Sequence, residues 1–247
     1  MIGAMVIHLP SPHISSRIKY VYVVFTSHID TGFDHPLDEM EEWCKRIIDD
    51  AIDKCERYPD FKWTIENTWQ LSNWFKRTRE KEKIDKLLRL IREGRIEVGA
   101  AWDDVVTDFL GYEDVNRLFY KAGYFRRAYG INFSTVIMDD VPGYSITIPR
   151  AMAAAGLKYF LTGINPLHDY WGAGTSIPPS DLPFYWEGPD GSRVLTWISF
   201  GSYGEATSKG YELWRKVGKP DFPWLCALDS PDYQEMKESF KNYIQKW

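Results

Sequence analysis

The segment VYVVFTSHIDTGFDHP, residues 21–36, opens as an apolar, β-branched and aromatic run and turns polar within a few residues. Such a run reads as a strand buried on both faces, the kind found in parallel sheets. His28 and Asp30 lie two residues apart, so on a continued strand both side chains leave the same face. They do so at the carboxyl end, where open and closed α/β sheets place their chemistry. An imidazole and a carboxylate converging there suit a divalent metal, most simply zinc with a position open to substrate. The other reading is a histidine hydrogen-bonded at a strand end, with Asp30 capping the next helix.

Around this segment the composition sets bounds. At 247 residues the chain has room for one sizeable core, a length at which α/β barrels form single domains. The formal net charge is -5 and no basic run is dense enough to follow a phosphate backbone, so nucleic acid is not an expected partner. No apolar run reaches bilayer length and the start lacks a secretory pattern, so a soluble, cytoplasmic protein without membrane partners is expected. Cys44 and Cys55 are eleven apart in one predicted helix and both suit its core face, and Cys226 lies in an apolar strand. An odd count without CxxC argues against a disulfide framework or a cysteine-zinc site. Several of the eleven tryptophans follow predicted strands, where aromatic faces stack on sugar rings as well as pack cores.

Periodicity then alternates along the chain. A helix is predicted over 37–58, since Met40, Trp43, Ile47, Ile48, Ala51, Ile52 and Cys55 recur at three- and four-residue steps. Strands are expected at 61–65 (FKWTI), 96–100 (IEVGA), in STVIMD ending at Asp139, and in KYFLTG, with helices between them and one helix over 113–129. FYWEGPDGSRVLTWIS reads as an antiparallel hairpin, because Pro189, Asp190 and Gly191 supply turn chemistry between alternating runs. PWLCAL is the seventh strand, before a terminal amphipathic helix. Parallel strands need crossovers and these crossovers are helical, so the fold class is α/β, a seven-stranded (β/α)7 barrel.

In that architecture the residues just after each strand meet at one face: His28, Asp30, Glu66, Trp102, Asp104, Asp139, Asp140, Asn165, His168, Asp229 and Asp232. So many carboxylates in one mouth favour a cation or shared protons. Two of them across a sugar also satisfy glycoside hydrolysis. No GxSxG elbow, Cys/His pair or phosphate-binding glycine loop competes.

These residues carry a resemblance. TSHIDTGF resembles the zinc-binding opening of family 38 glycoside hydrolases, the α-mannosidase family, approximately HSHxDxGW, and DVPGYS resembles its DxFGHS, whose aspartate is the nucleophile. IEVGAAWDDVVTDFLGYEDVNRLF is similar to the family's segment ExxGGxWxExDxxLxxxES, and GLKYFLTGINP with FYWEGPDGSRVL to the stretch after the nucleophile. The likeness runs in order from about Lys19 to Leu195. It implies a barrel of the glycoside hydrolase/deacetylase type over 19–247, after an extension of residues 1–18. His28 and Asp30 would bind Zn2+, and Asp140 would be both nucleophile and third ligand. Trp102 and Asp104 would line the sugar site, Phe33 would stack on the sugar, and LDSPDY would supply the acid/base residue as Asp232, preferred, or Asp229. The implied activity is zinc-dependent, retaining hydrolysis of α-mannosides through a covalent glycosyl-enzyme.

The departures define the alternatives. Pro142 and Tyr144 stand where the family has Phe and His. The family's fourth zinc ligand, a histidine, and its helical and β domains lie downstream of the segment matched, so a truncated fragment, or a shell completed by His168 or water, is expected. The alternative for Asp140 is to cap a helix beginning near Tyr144, and for Asp229 and Asp232 to cap the terminal helix. A non-catalytic carbohydrate-binding barrel is the reading from another class. A metal-dependent polysaccharide deacetylase ranks lower for want of HxxxH.

Overall fold

The computed structural model describes residues 4–8, 20–33, 35–141, 143–163, 183–199 and 233–234. β1 (Ala4–His8) pairs antiparallel with β2 (Tyr20–Val24) in the register Ala4↔Val24 to His8↔Tyr20. The extension expected ahead of the barrel thus contributes a strand. A five-residue apolar run has no periodicity by which sequence alone separates strand from helix.

From β2 the sheet proceeds in parallel steps. Thr26 bridges Thr64, and the Thr64 amide donates to the Phe25 carbonyl at 2.8 Å, which sets the end of β2 beside β3 (Trp63–Ile65). β3 pairs parallel with β4 (Ile96–Val98). The Ala100 amide then donates to the Thr135 carbonyl at 2.9 Å, joining the end of β4 to β5 (Thr135–Ile137). β5 pairs parallel with β6 (Tyr159–Gly163), and β6 with β8 (Arg193–Ser199). β7 (Phe184–Glu187) runs antiparallel on β8 as the predicted hairpin. The architecture is α/β with neighbouring parallel strands. The expected seventh strand, PWLCAL, lies outside the described residues, as does Cys226.

Helices cross between the strands. α1 (Leu37–Arg57) buries Met40, Cys44, Ile47, Ile48, Ala51, Ile52 and Cys55 along one stripe, and each large aliphatic side chain so buried contributes about 1.5–3 kcal/mol relative to exposure. Cys44 and Cys55 are both free thiols within that core. α2 (Thr68–Arg77) begins at Asn67, whose side-chain oxygen accepts from the Gln70 amide at 3.0 Å. α3 (Lys81–Arg92) comes next. The single helix expected over 113–129 is two, α4 (Tyr112–Arg117) and α5 (Tyr120–Tyr129), separated where Leu118 and Phe119 turn into the core. α6 (Ile148–Ala154) carries proline in its first turn, where no amide hydrogen is needed.

Asp49 on α1 ties three helices. It accepts from Lys45 Nζ at 2.7 Å, from Lys83 Nζ of α3 at 2.9 Å and from Trp74 Nε1 of α2 at 2.8 Å. Burial alone raises its pKa, but these donors win and hold it below the usual carboxylate value. A depressed folded-state pKa contributes stability above the unfolded value, about 3.9, and that contribution disappears as pH falls through the folded value. Asp49→Asn is therefore expected to lower stability at pH 7 by about 1–3 kcal/mol in urea titrations, with the gap from the parent closing below about pH 4.

Candidate metal and sugar site

The site is built from the segments at the carboxyl ends of β2, β3, β4 and β5. His28 sits four residues beyond β2, and its ring is gripped from both nitrogens. Nδ1 lies 3.0 Å from Glu66 Oε1 and 4.0 Å from Asp104 Oδ2. Nε2 lies 3.5 Å from Asp30 Oδ1 and 3.9 Å from Asp140 Oδ2. One ligand atom from each of His28, Asp30 and Asp140 falls within 4.8 Å of the others, and the same holds for His28, Glu66 and Asp104. The three residues expected to share a cation are thus brought together.

Neither carboxylate caps a helix. α1 starts at Leu37 with Pro36 as its flanking residue, beyond reach of Asp30, and α6 starts at Ile148 after Thr147, so Asp140 lies seven positions ahead of that cap. Asp140 has φ 56°, the one non-glycine residue with positive φ among those described. Its amide donates to the Gly163 carbonyl at 3.0 Å. Left-handed backbone is mildly unfavourable even for aspartate, so the surrounding hydrogen bonds impose this conformation.

Glu66 is the residue that strand-end reasoning collects but assigns no role. It is fully buried, directly after β3. Its Oε2 accepts from Gln70 Nε2 at 3.2 Å, and the same amide donates to the Ser27 carbonyl at 2.8 Å. Asn67 Nδ2 donates to Asp103 Oδ1 at 3.3 Å and to Asp104 Oδ2 at 3.2 Å, so the start of α2 holds the acidic loop after β4. Asp104 Oδ1 is buried without a hydrogen-bond partner among the described residues. Asp139 accepts from the Gly163 amide and is buried.

The charge balance reflects this crowding. Burial opposes a charge on His28, but Glu66, Asp30 and Asp104 outweigh it and push its pKa up to about 12. Hydrogen bonding to His28 lowers that of Asp30. Burial, reinforced by Glu66, raises Asp139 to about 7 and Asp104 well above its ordinary value. Burial is also the main cause that takes Asp103 to about 6. Burial first, and then the neighbouring negative charges, make ionisation of these acids costly, and a divalent cation would relieve both.

The donor set fits zinc on the Nε2 side. Ligands at about 2.0–2.2 Å around a tetrahedral ion sit roughly 3.3–3.5 Å from one another. The 3.5 and 3.9 Å separations from Nε2 approach that spacing, whereas 3.0 Å from Nδ1 to Glu66 is a hydrogen bond. Asp104, with one buried oxygen lacking a hydrogen-bond partner among the described residues, lies on the Nδ1 side of the ring.

Trp102 is 37% exposed, beyond β4, with Lys121 Nζ 5.9 Å from its ring centre. Phe33 is 83% exposed on the turn after Asp30. Tyr144, at the position of the family's histidine, donates to the Met138 carbonyl at 2.7 Å or to Thr162 Oγ1 at 2.6 Å, and its ring meets Phe160 edge-on. It therefore ties β5 to β6. Asp229, Asp232, Asn165, His168 and Pro142 lie outside the described residues. Tyr233, next to Asp232, is buried with its ring 5.2 Å from Phe61 and 5.1 Å from Tyr58, just ahead of β3.

Comparison of the sequence with known proteins points to one family. Residues 19–247 match the model of the glycosyl hydrolases family 38 N-terminal domain. Human alpha-mannosidase 2C1 is 31% identical over 180 residues, which are 72% of this chain and 16% of that protein. Alpha-mannosidase G of Dictyostelium discoideum is 29% identical over 192 residues, 75% of this chain and 17% of that protein. The chain thus spans less than a fifth of the relatives it matches. Among solved structures, an alpha-mannosidase from Enterococcus faecalis V583 superposes with TM-score 0.58 at 20% identity, covering 78% of this chain and 22% of that one. A 4-alpha-glucanotransferase from Thermococcus litoralis gives TM-score 0.57 at 14% identity, over 90% of this chain and 36% of the other. At such identities the superpositions establish fold alone. Among the described residues, no helix is long and apolar enough to cross a membrane.

Proposed function

Since this chain belongs to glycosyl hydrolase family 38, whose N-terminal domain it matches over residues 19–247, we propose that it is a zinc-dependent retaining glycosidase barrel acting on α-mannosides. The observation that carries this is the convergence of His28, Asp30 and Asp140, with ligand atoms within 4.8 Å, beyond the carboxyl ends of β2 and β5. The finer fold that goes with this reading is a closed (β/α)7 barrel.

Zinc held by His28, Asp30 and Asp140 would supply a Lewis acid to the sugar hydroxyls. His28 and Asp30 keep that position fixed, and Asp104 offers its free oxygen to it or to a hydroxyl. Trp102 and Phe33 present aromatic faces to the sugar's C-H surface. An Asp140 oxygen attacks the anomeric carbon and forms a glycosyl ester, while the glycosidic bond breaks and its electron pair leaves with the aglycone oxygen. That oxygen takes a proton from Asp229 or Asp232. The same residue, now a base, deprotonates the water that cleaves the ester, so configuration at the anomeric carbon is retained.

Zinc titration of the purified 247-residue chain, followed by an aryl α-mannoside assay, tests this. The expected result is one zinc per chain and turnover with a retained product, and loss of most of the rate in one of Asp229→Asn and Asp232→Asn. Zinc binding without turnover would make the chain a carbohydrate-binding barrel, and neither would make it a scaffold.

A further inference from the structure

We infer that Glu66 is a positioning residue that fixes which nitrogen of His28 faces the cation. This rests on the zinc site proposed above and adds a residue to it.

The two ring nitrogens are not equivalent. Nδ1 lies 3.0 Å from Glu66 Oε1, a hydrogen-bonding separation, while Nε2 is turned to Asp30 and Asp140 at 3.5 and 3.9 Å. A buried carboxylate at that distance accepts the Nδ1 proton, so the imidazole presents the Nε2 lone pair to a cation. The reverse arrangement would put a metal against Nδ1 and Glu66, which stand at hydrogen-bonding separation, short of the spacing of two ligands on a tetrahedral ion.

Glu66 is itself immobilised. It is wholly buried, its second oxygen is held by Gln70, and the same Gln70 amide reaches the Ser27 carbonyl, next to His28 in the chain. The Glu66 amide donates to Gln70 Oε1 at 3.3 Å. Ring, carboxylate and amide thus form a chain of hydrogen bonds from α2 to the segment after β2. A histidine three residues ahead of an exposed turn acquires one orientation by this means. Negative charge on Glu66 also makes the ring a stronger donor to a metal. Asp104, 4.0 Å from Nδ1, is too distant to take over the hydrogen bond without movement.

Removing such a partner weakens metal binding by about 10–100-fold. The test is competition for zinc against a chromophoric chelator in the full chain, comparing the parent, Glu66→Gln and Glu66→Ala. Asp30→Asn is the control for direct coordination, and far-ultraviolet circular dichroism monitors folding. Affinity is expected to fall at least tenfold in Glu66→Ala and less in Glu66→Gln, which keeps an acceptor oxygen. Equal affinity in all three chains overturns the inference and leaves the zinc site standing. No zinc uptake by the parent removes both. Should either variant misfold, the parent alone decides: long-range 1H-15N spectra of the zinc-loaded chain are expected to show His28 metallated at Nε2 and protonated at Nδ1, and metallation at Nδ1 overturns the inference.

Discussion

Asp140→Asn is expected to reduce aryl α-mannoside turnover by about 10^4-fold or more and to weaken zinc binding, with no loss of thermal stability. Asparagine keeps the volume and one oxygen but is a poor nucleophile and a weak ligand, so the covalent step and one metal contact fail together. A residue acting as one member of a concerted unit takes most of the rate with it. Stability points the other way. The substitution relieves crowding among Asp104, Asp139 and Asp140, and asparagine tolerates the left-handed backbone at φ 56° as well as aspartate does. A residue held in an uncommon conformation amid like charges is retained at the expense of the fold. The decisive measurement is the pair of changes: kcat down with the melting temperature equal or higher. A falling melting temperature with proportionate activity loss would reduce Asp140 to a structural group.

How far the site could be read in the sequence depends on which rule each residue obeys. His28, Asp30 and Asp140 come directly after apolar strand runs, and parallel strands deliver such residues to one end whatever the details of packing. Glu66 obeys the same rule, but its role was not legible. That role depends on Nδ1 rather than Nε2 facing it, a consequence of ring orientation and of Gln70 one helical turn on. α4 and α5 read as one helix because Leu118 and Phe119 continue the apolar period, and only their turn into the core separates the two. β1 stayed hidden because its pairing with β2 is a tertiary event. Tyr144 in place of the family's histidine reads as a change in the pocket, and what the sequence does not disclose is that its hydroxyl engages Met138 and Thr162.

Fold and site meet most tightly at Gly99, and Gly99→Ala is expected to cost about 3 kcal/mol or more and to impair zinc binding in whatever folds. A Cβ built there lies 1.9 Å from the Glu66 carbonyl oxygen and 3.0 Å from its carbonyl carbon. Real carbon atoms do not approach an oxygen so closely, and the obstacle is backbone, which cannot rotate aside as a side chain can. The Gly99 amide also donates to the Ile65 carbonyl at 2.8 Å, so β4 cannot back away without losing the last rung of its ladder with β3. Ala100 is held to Thr135 in the same way, which blocks retreat toward β5. The remaining route is displacement of Glu66, and that moves the acceptor of His28 Nδ1. Gly191, in the β7–β8 turn, separates this effect from ordinary glycine loss: it has φ 81° but open space around its missing Cβ. Gly191→Ala should cost about 1 kcal/mol through backbone strain alone and leave zinc affinity unchanged. Urea titrations with zinc competition on both variants separate the two cases. Equal and small losses at Gly99 and Gly191 would mean that β3 and β4 do not approach as closely as described, and the placement of Glu66 against His28 would fall with them.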